Sequence, residues 1–119
     1  MLFNEKFFSK VWACGRVEYG RTGLGKGHTV DSEMPSPVDL GPYGKATHVS
    51  CGTAVSFAAT TSGDCLSWGM GTNLQLGHED EDEDAWEPKR MLGKQLETRK
   101  VVMVGGGGQH TVLIAKANE

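Results

Sequence analysis

The sequence is poor in proline, with 4 in 119 residues, and holds 3 cysteines, an odd number. An odd count rules out a complete set of internal disulfides. Cys14, Cys51 and Cys65 stand among mostly small or apolar neighbours, and no two are spaced Cys-x-x-Cys. They read as small buried residues of a reducing compartment, not as a zinc or redox motif. No apolar run approaches the roughly 18 residues of a membrane helix. The opening segment, residues 1–8, lacks a long apolar stretch and a small-residue cleavage site, so no secretory leader is expected. Basic residues do not predominate, since 12 Lys and Arg stand against 15 Asp and Glu for a net charge of −3. Nucleic-acid-binding domains are usually basic, so direct binding by this segment is not expected. His28, His48, His78 and His110 are scattered without zinc-ligand spacing, and neither metal nor cofactor is expected. Helical periodicity is confined to a possible turn at Lys94-Gln95-Leu96-Glu97.

What the sequence has is glycine, 17 residues or about twice average usage, and a repeat. Val11-Trp12-Ala13-Cys14-Gly15 matches Cys65-Leu66-Ser67-Trp68-Gly69, 54 positions on. Gly52-Thr53-Ala54-Val55-Ser56 matches Gly107-Gly108-Gln109-His110-Thr111, 55 positions on. Two unrelated landmarks returning at one spacing mark a repeat protein. The expected division is a leader over residues 1–9, a first repeat over 10–64 and a second over 65–119.

The local pattern is β. Val55–Thr60 and Cys65–Gly69 flank a Ser-Gly-Asp turn and read as a hairpin. Lys100–Val104 and His110–Ala115 read as further strands. Pro35, Pro37 and Pro88 suit edge strands, where a missing N–H does no harm. Short antiparallel strands repeating at this period predict an all-β chain of two four-stranded antiparallel β-propeller blades.

Trp68-Gly69-Met70-Gly71-Thr72-Asn73-Leu74-Gln75-Leu76-Gly77, followed by Gly107-Gly108-Gln109-His110-Thr111, resembles the repeat of the regulator of chromosome condensation family. The resemblance spans about residues 11–115. It implies part of a seven-bladed propeller and a nuclear, chromatin-bound guanine nucleotide exchange factor for the small GTPase Ran. Such a factor does no covalent chemistry. Propellers of the family also serve as interaction modules in ubiquitin ligases and traffic proteins, which is the alternative. The resemblance implies that the His-Thr strand is innermost, with three strands following outward. Val55–Thr60, Cys65–Gly69, about 87–92 and Val101–Gly105 are then expected to form one blade. Lys10–Cys14, about 37–40 and Ala46–Ser50 would belong to another. Of the family's histidines only His110 is kept, which implies a GTPase-facing role beside a purely structural one. The first repeat departs, with Val17 at the asparagine position and Val55-Ser56 for His-Thr; in the second, Gly71 and Leu74 replace asparagine and glycine. Histones or chromatin are expected to be reached through parts that this chain lacks.

Three motifs invite other chemistry. Gly20–Gly27 comes within one residue of a phosphate-binding loop, but Gly27 stands where Ser or Thr must hold Mg²⁺, and no helix follows. A glycine-rich inter-strand loop is expected instead. Glu79, Asp80, Glu81, Asp82, Glu83 and Asp84 are consecutive carboxylates without the mid-loop glycine of a Ca²⁺ site. They suit a solvated loop or a contact with a basic partner. No nucleophile–base pair is visible, so catalytic residues are not expected.

Overall fold

The structure, a computed structural model, describes residues 2–5, 8–28, 30–78 and 83–117. Nine strands follow in chain order: β1 (Leu2–Glu5), β2 (Phe8–Gly15), β3 (Ser32–Val38), β4 (Ala46–Cys51), β5 (Val55–Thr60), β6 (Cys65–Gly69), β7 (Ala85–Arg90), β8 (Arg99–Gly106) and β9 (Thr111–Ala117). The helical structure among the described residues is three 3₁₀ turns, at Glu18–Gly20, Gly41–Tyr43 and Lys94–Leu96. The strands form three antiparallel sheets, ordered β1-β2-β3, β4-β5-β6-β7 and β8-β9. The chain is all-β, and the proline-bearing strands β3 and β7 are sheet edges, as their missing N–H groups require.

The grouping of strands corrects the expected one. Val101–Gly105 does not complete the sheet of Val55–Thr60; it lies in β8, which pairs with β9. That sheet begins one strand earlier, with β4. The reason lies in the connections. Only residues 52–54 join β4 to β5, and Gly52 N–H donates to the Val55 carbonyl at 2.8 Å. So tight a reversal makes consecutive strands antiparallel neighbours. Residues 91–98 between β7 and β8 are long enough to cross to the next sheet.

The His-Thr strand is consequently second in its sheet. β4 packs against both β2 and β8, and Val104 N–H donates to His48 Nδ1 at 3.3 Å. That lateral packing makes β4 and β8 the inner strands. Each repeat therefore supplies the outer strands of one sheet and the inner strands of the next. One whole blade lies between two part-blades, and the chain itself ties neighbouring blades together.

β5 has both faces covered, which explains its unbroken apolar run. Val55, Phe57 and Ala59 point into one core with Cys65, Leu76, Met91, Val101 and Val104. Ala58 points into the other with Val11, Val38, Leu66 and Trp68. Alanine at 58 and 59 lets the flanking sheets approach closely.

Candidate functional site

Antiparallel strands alternate direction, so the β4–β5 and β8–β9 hairpins leave the blades at one end. The β2–β3 loop (16–31) and the β6–β7 loop (70–84) leave at that end too. This loop-bearing face gathers His110, Glu83 and Asp84.

His110 sits in the β8–β9 hairpin, where Gly107 N–H donates to its carbonyl at 2.9 Å. Its ring lies against Gly107, so closely that a Cβ there would strike it. The ring is exposed. Val55, at the same place in the β4–β5 hairpin, is buried. Asp84 Oδ1 accepts from Gly71 N–H at 3.0 Å and so pins the far end of its own loop. Glu83 is exposed. Glu79, Asp80, Glu81 and Asp82 lie outside the described residues. Among the described residues no hydrogen bond or ion pair joins His110 to Glu83 or Asp84; they share a face without touching.

The loops that build this face repeat in detail. Gly20 N–H donates to Val17 O at 2.9 Å, and Leu74 N–H donates to Gly71 O at 3.1 Å, 54 positions on. Ser56 Oγ donates to Arg21 O at 2.9 Å, and Thr111 Oγ1 donates to Gln75 O at 2.8 Å. Each hydroxyl thus clamps the long loop of the preceding sheet onto the next. Sequence reasoning missed this positioning role. Its one visible signal was a hydroxyl at both 56 and 111.

The glycine-rich stretch 20–27 is an inter-strand loop. Gly20 lies on the Ala85–Trp86 backbone, and Gly25 N–H donates to Trp86 O at 2.9 Å. Gly23, at φ +71°, lies against the Trp68 indole. β3 follows the loop, so no helix N-terminus meets a phosphate.

The fold also creates a pair that the sequence could not place. Ser67 Oγ lies 2.8 Å from His78 Nε2. The hydroxyl gives its one proton to Leu76 O at 2.6 Å. Nε2 therefore carries hydrogen, shared between Ser67 Oγ and Lys89 O at 3.2 Å. A general base must accept the serine proton, and this nitrogen donates. Both residues are buried as well. The pair staples β6, β7 and their loop together; it is not a nucleophile and base. Around Tyr19, hydrogen bonding to Glu18 and that residue's charge raise the phenol's pKa above its ordinary value. Arg21 lies over its ring at 5.5 Å.

Radially packed antiparallel sheets, linked by loops that clamp one onto the next, define a β-propeller repeat protein. The Regulator of chromosome condensation (RCC1) repeat matches residues 9–59 and 62–114. The chain belongs to the RCC1 repeat family. It is 48% identical over 110 residues, 92% of its length, to the Regulator of chromosome condensation of Homo sapiens, of which it covers 25%. It is 32% identical over 92% of its length to the E3 ubiquitin-protein ligase HERC2 of Homo sapiens, covering 2% of that protein. Its fold matches Prp20p of Saccharomyces cerevisiae, whose structure is described with its binding to Gsp1p and histones, at TM-score 0.83 and 23% identity. That match covers 99% of this chain and 29% of Prp20p. The chain thus spans about a quarter of the length of the regulator it matches.

Proposed function

We propose that this chain is a segment of a chromatin-associated guanine nucleotide exchange factor for Ran, located in the nucleus. The observation that carries this reading is the 48% identity to the human regulator over nearly the whole chain, against 32% to HERC2. An exchange factor binds the nucleotide-free GTPase more tightly than the loaded one. By reciprocity it lowers nucleotide affinity by the same factor. No bond is made or broken in the nucleotide, so no nucleophile is needed. We assign His110 to the GTPase-facing surface and Glu79 to Asp84 to attraction of a basic partner, Ran or histones. Its free thiols suit a reducing compartment.

A chimera tests this. The matching segment of the human regulator is replaced by this chain, and release of a fluorescent nucleotide from Ran is followed. Exchange at least within about tenfold of the parent is expected, since one tenfold step corresponds to roughly 1.4 kcal/mol of lost stabilisation. His110→Ala in that chimera is expected to slow exchange with no change in melting temperature. Release no faster than without added protein, from a chimera that melts like its parent, would abandon the exchange reading. The second reading, a binding module, rests on the HERC2 likeness and would then stand.

A further inference from the structure

We propose that Tyr19, with the Arg21 guanidinium stacked on its ring, is a contact anchor for the partner GTPase on the loop-bearing face. This rests on the exchange reading and adds a residue pair to it beside His110. The loop that carries the pair is fixed from several sides. Val17 N–H donates to Asp31 Oδ1 at 3.0 Å and closes the loop's base. Ser56 Oγ donates to Arg21 O at 2.9 Å. Gly20 lies on the Ala85–Trp86 backbone, and Gly23 lies against the Trp68 indole. Ser56, Trp68, Ala85 and Trp86 all belong to the complete blade, β4-β5-β6-β7. The platform under Tyr19 is therefore whole within this chain.

The backbone at Tyr19 is strained. Gly20 N–H donates to Val17 O at 2.9 Å, which closes a four-residue turn. Tyr19 stands third in it, at φ +64° and ψ +7°. Glycine or asparagine is favoured at such a place, because a Cβ is crowded at positive φ. Burial does not repay the strain, since Tyr19 is partly exposed and belongs to neither core. Strain that packing does not explain is characteristic of contact surfaces. Arg21 completes the pair. Its guanidinium carbon lies 5.5 Å from the ring centroid, and its Nε donates to Glu18 O at 3.0 Å. The planar group is thus held in place, and among the described residues its terminal nitrogens make no hydrogen bond. Tyrosine and arginine dominate the residues that carry binding energy, and side chains already ordered lose little entropy on association. The paired terminal N–H groups fit a carboxylate, and the ring offers flat apolar area beside them. The GTPase is accordingly expected to meet this spot with an Asp or Glu set against apolar surface.

Nucleotide release by the chimera, followed over a series of Ran concentrations, tests this, with the melting temperature of each variant measured beside it. Tyr19→Gly removes the ring and suits the backbone better. It is expected to melt no lower than the parent chimera. The Ran concentration giving half the maximal rate is expected to rise at least about tenfold. Arg21→Lys keeps the charge but loses the planar fork, and a similar rise with an unchanged melting temperature is expected. Variants that exchange like the parent chimera would overturn the anchor and leave the exchange reading standing. Slower exchange in step with a lower melting temperature would also overturn it, as the mark of a purely structural pair. A folded parent chimera without exchange would remove the exchange reading and this proposal together.

Discussion

Cys65 shows what burial does to one side chain. Its thiol lies in the core with Phe57 and Leu76. Desolvation, helped by the charge of Asp64, pushes its pKa from 9.0 up to about 12. The folded chain therefore holds this proton where the unfolded chain has lost it. The contribution to stability is complete below roughly pH 9 and is lost as pH rises through about 12. Unfolding midpoints in urea are expected to fall over that window, and Cys65→Ala is expected to flatten the fall. A thiol reagent at neutral pH is expected to modify the exposed Cys14 and Cys51 and to reach Cys65 only on unfolding. Gly23 makes a second case. Its φ of +71° suits glycine, and a Cβ would stand 2.7 Å from Trp68 Nε1. Gly23→Ala is expected to cost more than about 1 kcal/mol by equilibrium unfolding, with altered Trp emission.

Between elements, the same backbone position has different worth according to what covers it. Phe57 on β5 lies between two sheets, and Val112 on β9 has one face open. Phe57→Ala is expected to cost about 3–5 kcal/mol, lost transfer energy and cavity together. Val112→Ala is expected to stay within about 0.5 kcal/mol, as exposed positions do. Chemical denaturation of both variants beside the wild type decides this. Equal losses would mean that β9 is covered in solution at the concentration used. The hydroxyl clamps act at this scale too, since Ser56 and Thr111 each bind a backbone carbonyl of the preceding sheet's long loop.

At the scale of the whole segment, one complete blade lies between two part-blades of three and two strands. The isolated segment is expected to leave nucleotide release from Ran unchanged, since it covers a quarter of the regulator it resembles.

The repeat spacing, the strands from β2 onward and the edge positions of Pro35, Pro37 and Pro88 were legible in the sequence, whereas β1 falls in the stretch expected as a leader. Each is a local matter, of side-chain period, turn residues or a missing N–H. The motif around Trp68 and His110 likewise carried the family. Tertiary structure decided which strands share a sheet. Ala46–Ser50 and Val101–Gly105 both read as short strands, and pairing depends on a partner outside the window being read. The same holds for Ser67 and His78, which lie 11 positions apart and meet only because β6 and β7 bracket their loop. Tertiary structure also split the equivalent residues Val55 and His110, one buried and one exposed on the loop face. A sequence repeat gives equal backbones, and burial depends on what each backbone is packed against.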